Sequence, residues 1–221
     1  MRLALFDLDD TLLDGDCSEL WNAWMIERGW IAAPGEFLMH TQAMHAAYHA
    51  GRLRLEEYLA LTLSPLAGRR EEDVRAEVEA FVEARIEPRL FPQGRAQVEQ
   101  HRAQGERVMI VSASSRHLVE PVAAALGIHE VIAVEPAMDG ARYSGTTTGE
   151  LSYRDGKVSR LQAWLASQPV PVTHLSFYSD SHNDLPLLSR VDRAVAVNPD
   201  PVLAEVARVE AWPRLDWRMP A

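Results

Sequence analysis

The sequence has one cysteine, Cys17, among 221 residues, so no intrachain disulfide can form, which fits a reducing compartment. No apolar run approaches the ~20 residues of a membrane-spanning helix, and the first strand-like run begins at about residue 2, which leaves no room for a cleavable leader. Basic residues are the scarcer charge, 22 against 32 acidic, and the formal net charge of −10 opposes nucleic acid or an anionic membrane as the main partner. Neither an internal repeat nor a low-complexity tract is present. These absences lead to the expectation of a soluble, cytoplasmic, globular protein. A hydrophobic content of 47% is ample for a core, and the length suits one domain with an insertion or two small domains.

The chain opens on Leu3-Ala4-Leu5-Phe6-Asp7-Leu8-Asp9-Asp10-Thr11-Leu12. A short apolar run ending abruptly in carboxylates predicts a buried strand that delivers Asp7 and Asp9 to a sheet edge, where α/β folds keep their ligand crevice. Alternation along a strand puts Asp7 and Asp9 on one side and Leu8 on the other. Two carboxylates so close repel, and a dication would relieve them. Oxygen ligands of this kind suit Mg²⁺, which takes one or two protein carboxylates and fills its shell with water and phosphate. Read alone, the stretch is equally an acidic strand end before the turn Asp14-Gly15-Asp16.

Residues 16 to 87 read as helical, in four apolar stripes: Leu20, Trp21, Trp24 and Met25 before Gly29; Phe37, Thr41, Met44 and Tyr48 before Gly51; Leu55, Leu59 and Leu63 before Pro65; and Val74, Val78, Phe81, Val82 and Ile86 before Pro88. They read as a small bundle that interrupts an alternation of strands and helices, hence as an inserted lid. The alternation resumes with helix 93–104, strand 107–112, helix 116–126, strand 131–134, a hairpin excursion over 138–149, helix 157–167, strand 175–178, helix 182–190, strand 194–197 and helix 201–209. Pro121 requires a place in the first turn of its helix or a kink. Residues 212–221 carry no assignable pattern. Alternating strands and helices imply a mainly parallel sheet covered on both faces.

Further stretches carry candidate chemistry. Ser112, at the end of the second core strand, leads into Ala113-Ser114-Ser115, a small polar helix entrance that offers a hydroxyl and free N–H groups to an anion, or simply an N-cap. Lys157 falls at a helix start, where the macrodipole disfavours a cation, so it is either solvated or counter-charge to an anionic centre. In Ser179-Asp180-Ser181-His182-Asn183-Asp184 a second apolar strand ends at a carboxylate, with another four residues later; alone, Asp180 reads as an N-cap and Asp184 as a surface residue. His40, His45 and His49 read as a polar helix face, His182 as exposed, and Cys17 lacks a base that would make it a nucleophile.

Together, the segments around Asp7, Ser112, Lys157 and Asp180 resemble the four motifs of the haloacid dehalogenase superfamily over nearly the whole chain. The resemblance implies an α/β fold with a Rossmann-like parallel-sheet core, residues 1–15 and 88–221, and a helical cap, residues 16–87, inserted after the first strand. It also implies a Mg²⁺-dependent phosphomonoesterase in which Asp7 is the nucleophile that forms an aspartyl-phosphate and Asp9 the acid and base. Asp7, the Asp9 carbonyl and Asp180 hold the metal, with Asp184 outside them as partner to metal-bound water or Lys157. Ser112, Ala113, Lys157 and Asn183 bind phosphate. Where the family usually has glycine this chain has Ser179, expected to affect the backbone and not the chemistry.

The helical insertion and the run Tyr178 to Leu188 resemble the phosphoserine-phosphatase-like branch. That branch carries a cap arginine for the substrate carboxylate and favours glycine after the motif-two serine, whereas here the helix Leu55 to Leu66 has no arginine and Ala113 follows Ser112. Residues 110–116 and 156–161 look closer to histidinol-phosphatase-like members. Histidinol phosphate has an amine and an imidazole but no carboxylate, which Asp16 or Glu19 with Trp21 or Trp24 would suit. The tryptophans read equally as packing between lid and core. The implied partner is a small phosphorylated metabolite. Phosphoserine, a phosphotransferase or mutase using the same intermediate, and a non-catalytic receiver-like domain are the alternatives; a receiver has no need of some 70 residues of helix over its site.

Overall fold

The computed structural model describes residues 1–50 and 52–220, without the side chain of His49; the break expected at Gly51 and any role for His49 lie outside the described residues. Seven strands form one sheet: β1 Arg2–Phe6, β2 Arg107–Ser115, β3 Glu130–Asp139, β4 Arg142–Thr148, β5 His174–Ser179, β6 Arg193–Val197 and β7 Arg214–Leu215. Their order is β4-β3-β2-β1-β5-β6-β7, parallel throughout except for the β3–β4 hairpin. β1 is central because its run is apolar on both sides. Leu3 and Leu5 pack with Met109, Val111 and Phe177 on one face, Ala4 and Phe6 with Val108, Ile110 and Val195 on the other, as a sheet covered on both faces requires.

Between β1 and Pro88 the described residues form four α-helices: α1 Cys17–Glu27, α2 Pro34–His49, α3 Leu55–Leu63 and α4 Glu71–Phe81. Asp16 caps α1 by accepting from the N–H groups of Ser18 (2.8 Å) and Glu19 (2.9 Å), satisfying donors the helix leaves open. After α4 the chain continues through a π turn, Val82–Ile86, and a 3₁₀ turn, Glu87–Arg89, where Pro88 ends the helical path. Trp21, Leu59, Val78 and Phe81 belong to the same buried cluster as Ala4 and Phe6. The backbone of the β3–β4 hairpin also bonds these helices' connection, Gly68 N–H to the Tyr143 carbonyl (2.8 Å) and Tyr143 N–H to that of Arg69 (3.0 Å).

The remaining helices are α5 Pro92–Ala103, α6 Arg116–Ala125, α7 Asp155–Ala166, α8 Leu185–Leu188 and α9 Pro201–Val209. Three local expectations are refined. β2 runs on to Ser115, its pairing with β3 shifting register between Val111 and Ser115, so Ser112 lies within the strand, while α6 starts at Arg116, as expected. Pro121 sits inside α6, beyond its first turn, which leaves the kink of the two expected alternatives. The patternless tail adds β7 to the sheet edge and buries Trp217 against Phe91 and Gly94; a two-residue strand is too short to leave a periodic signal.

His117 stands where these layers meet, 6.1 Å from the ring of Trp21 and 5.7 Å from that of Tyr143. Its Nδ1 lies 2.9 Å from Ser115 Oγ, while Nε2 has no partner. Burial pushes its pKa from 6.5 down to about 3. A base whose pKa falls on folding loses stability as the pH drops from the unfolded value towards the folded one, about 2 kcal/mol by pH 5. His117→Phe is therefore expected to shrink the stability difference between pH 7.5 and pH 5 by about that amount, as read by denaturant unfolding at both pH values.

Candidate active site

The carboxylates meet where β1 and β5 end. Asp7 continues β1 by donating its N–H to the Tyr178 carbonyl (2.9 Å), and Tyr178 is in turn fixed, its ring stacked 4.5 Å from Phe6 and its hydroxyl 2.8 Å from His101 Nε2. The chain then coils back. The Leu8 carbonyl accepts from the N–H groups of Thr11, Leu12 and Leu13, and Asp10 takes a positive φ of 53°. Beyond that turn the Asp9 side chain accepts from Cys17 N–H (2.7 Å) and Ser114 Oγ (2.7 Å). Asp180, just past β5, accepts from Thr11 Oγ1 at 3.0 Å while its own N–H donates to the same oxygen.

Lys157, the third residue of α7 and only 3% exposed, spans the two strands' products. Its Nζ donates to Asp7 Oδ1 (2.8 Å) and lies 2.7 and 2.9 Å from the two oxygens of Asp184. The serine in the glycine position takes part as well. Ser179 Oγ donates to Asp184 Oδ2 at 2.7 Å, so this departure reaches the side chains of the site and not the backbone alone. Ser112 is fully buried and accepts from Ser114 N–H. Asn183 Oδ1 accepts from the Tyr153 hydroxyl (3.0 Å) and Arg154 Nε (3.1 Å), and its Nδ2 donates to Ser181 Oγ (3.2 Å).

Asp7, Asp9, Ala113, Ser114 and Asp180 line one cavity of about 50 Å³, roofed by Met44, His45, Tyr48, Leu53, Leu55 and Tyr58 from the helices after β1. Ligand sites usually measure ~300–1,000 Å³, so this cavity alone is smaller than a typical ligand site. A second cavity of about 330 Å³ adjoins it and shares Asp10, Tyr48 and Asp180. Asp16 lines the first cavity. Glu19 stands behind, paired with His45 Nδ1 at 2.8 Å, which raises the imidazole pKa. Trp21 and Trp24 lie off the cavity wall: Trp21 packs edge-on against Phe81 and Trp30, and Trp24 donates to Glu77 beneath the Arg28 guanidinium. His182, expected exposed, is half-buried with Nδ1 2.7 Å from Asp200. Cys17 is fully buried, and burial pushes its thiol well up.

Burial is the largest influence on Asp7, Asp9 and Asp180 alike. It lifts Asp7 to about 7 despite Lys157, and with mutual repulsion holds Asp9 and Asp180 well above the ordinary carboxylate range. Negative charge therefore exceeds what one lysine offsets, the electrostatic condition a divalent cation meets. Among the described residues no three His, Cys, Asp or Glu side chains form a ligand cluster. Two carboxylates, Asp7 and Asp180, and the Asp9 carbonyl are a donor set that suits Mg²⁺, which keeps several waters. Thr11, Ser114, Tyr48, Tyr153 and Arg154 also belong to this environment; of these, only the Thr11 and Ser114 hydroxyls, beside quoted motif residues, carried a sequence signal.

A family model described as haloacid dehalogenase-like hydrolase matches residues 4–189. The histidinol-phosphatase of Neisseria meningitidis serogroup C (strain 8013) is 34% identical over 98% of this chain and 99% of its own length. The crystal structure of a protein of unknown function from Bordetella pertussis Tohama I superposes with a TM-score of 0.90 at 35% identity, covering 97% of this chain and 98% of that one. A substrate-bound phosphoserine phosphatase superposes with a TM-score of 0.70 at 19% identity over 97% of this chain and 92% of that one, a likeness of fold.

Proposed function

The chain belongs to the haloacid dehalogenase-like hydrolase family and is a phosphatase, and from that premise we propose that Asp7 is the nucleophile of a phosphomonoesterase acting on a small amine-bearing metabolite, with L-histidinol phosphate as substrate. The observation that carries the reading is the Lys157 ammonium held between Asp7 and Asp184, with Asp7, Asp9 and Asp180 on the wall of one cavity. Residues 16–87 act as the cap and the rest as the catalytic core, a division supported by the helices roofing the cavity. No helix among the described residues is long and apolar enough to cross a membrane, and a cytoplasmic location is part of the same proposal.

In the mechanism, Asp7 Oδ attacks phosphorus, and the phosphorus–ester oxygen bond breaks as the leaving alkoxide takes a proton. Asp9 supplies that proton: burial keeps its carboxyl protonated above the usual range, and its bonds to Cys17 and Ser114 aim it. The deprotonated Asp9 then takes a proton from water, which attacks the aspartyl-phosphate and releases phosphate, so one group serves as acid and then base. Lys157 offsets charge on Asp7 and the transferred group. The Asp7 and Asp180 carboxylates and the Asp9 carbonyl would hold Mg²⁺, which when bound would supply the remaining neutralisation of phosphoryl charge. Ser112, Ala113 and Asn183 complete the phosphate cradle, and closing the cap excludes bulk water.

The choice of substrate is supported by the cavity lining, which contains Asp16 and two tyrosines but no arginine or lysine. Among the described lining residues a substrate carboxylate meets no arginine or lysine, and His45 is already paired with Glu19, whereas an ammonium or imidazolium group meets Asp16 and the aromatic faces of Tyr48 and Tyr58. A panel of phosphomonoesters with Mg²⁺ is expected to give histidinol phosphate a kcat/KM at least ~100-fold above phosphoserine, the ratio that about 2.8 kcal/mol of discrimination yields. Activity should vanish with EDTA and return with excess Mg²⁺. Preference for phosphoserine would overturn the substrate, and full turnover in EDTA the metal.

A further inference from the structure

Arg154 has a backbone that its residue type disfavours and a side chain at the site. Its φ of 52° and ψ of −120° lie in a region that glycine enters freely and other residues rarely do. The surrounding turn is tight: Gly156 N–H donates to the Tyr153 carbonyl, Lys157 N–H to that of Arg154, and a Cβ at Gly156 would stand 2.0 Å from the Leu151 carbonyl oxygen. Strained non-glycine backbone persists where something else requires the side chain.

Here that something is Asn183, reached by Arg154 Nε at 3.1 Å and by the Tyr153 hydroxyl at 3.0 Å. A guanidinium only donates, so the Asn183 atom facing it must be the carbonyl oxygen, which fixes the amide's orientation without ambiguity. Nδ2 is thereby turned to the other side, where it donates to Ser181 Oγ and keeps a second proton; Asn183, with Ser181 and Asp180, lines the cavity that adjoins the one lined by Asp7. The Arg154 guanidinium lies 5.0 Å from the Tyr153 ring, so the two donors brace each other.

We propose that Tyr153 and Arg154 are positioning residues that lock the Asn183 amide with its nitrogen towards the phosphoryl site, the strained turn before α7 being the means of holding them there. The proposal rests on reading Asn183 as a phosphate-binding residue. The same turn sets the start of α7 and so of Lys157, which couples the two phosphate-side groups through one short segment.

The test measures binding of inorganic phosphate in the presence of Mg²⁺ by calorimetry, alongside turnover of p-nitrophenyl phosphate. Arg154→Gly and Arg154→Ala are each expected to weaken phosphate binding about tenfold, the loss typical of a charge-assisted hydrogen bond, with KM raised more than kcat is lowered. Tyr153→Phe should cost about threefold, as for a neutral bond. In an Asn183→Ala background the Arg154 substitutions should change binding less than about twofold, because their target is gone. Arg154→Gly should melt about 2–4 °C above Arg154→Ala, since glycine alone relieves the backbone. Losses undiminished in the Asn183→Ala background, or an alanine variant as heat-stable as the glycine one, would overturn the proposal, as would wild-type protein that binds no phosphate. Wild-type protein that binds phosphate without hydrolysing any ester would overturn the enzymatic reading alone.

Discussion

Asp7→Asn is expected to lower turnover of any phosphomonoester by at least ~10⁴-fold, the scale on which loss of a covalent nucleophile is felt, while the chain still folds. An amide oxygen is too weak a nucleophile to displace an alkoxide from phosphorus. The fold survives because Asp7 joins the sheet through its N–H, which the substitution keeps, and because Lys157 retains Asp184 at 2.7 Å. Without metal the variant should even be the more stable protein. A carboxyl raised on folding from 3.8 to about 7 penalises the folded state increasingly as the pH rises between those values, and asparagine carries no such penalty. Thermal melts in EDTA are therefore expected to place the variant above wild type at pH 8, with the gap closing as the pH falls towards 4. Turnover above about 1% of wild type would move the nucleophile elsewhere.

What the sequence made readable was whatever depends on local pattern. Leu3 to Phe6 and the strand before Ser179 announce themselves because a buried parallel strand is apolar on both sides, and the carboxylates that end them mark the rim. The helices after β1 follow from stripes such as Val74, Val78 and Phe81. Less visible were features set by pairing between distant segments. β2 extends past Ser112 because of its register with β3, and the tail becomes a strand only because β6 offers an edge. Trp21 and Trp24 resemble a substrate wall in composition, yet which way a helix turns its aromatic residues depends on its neighbours, here Phe81 and Glu77. Tyr48 read only as one of an apolar helical stripe, and Tyr153 and Arg154 gave no signal at all, since each matters through a partner far along the chain. Ser179 is instructive in a different way. As a departure from a motif it reads as tolerated variation, but its hydroxyl holds the carboxylate that holds Lys157.

Lys157→Met is expected to be the most destabilising single change at the site, by about 3–5 kcal/mol at neutral pH, because it leaves buried carboxylates without their cation. Lys157 is 3% exposed, Asp7 6% and Asp184 2%, so water cannot screen the charges that remain. Methionine matches the stem in length, which limits the cavity and makes the loss chiefly electrostatic. Two consequences separate this account from simple loss of packing. Adding Asp7→Asn to Lys157→Met should gain more stability than the same substitution gains in wild type, since it then removes a carboxylate that has lost its cation; packing damage would leave the two gains equal. The single variant should also gain more melting temperature from millimolar Mg²⁺ than wild type does, because the uncompensated negative charge at Asp7 favours a cation more strongly. A Lys157→Met protein as stable as wild type, or an Asp7→Asn gain no larger in the Lys157→Met background than in wild type, would mean that the ion pairs at 2.7 and 2.8 Å contribute little and that the charge of the site is balanced by something other than this lysine.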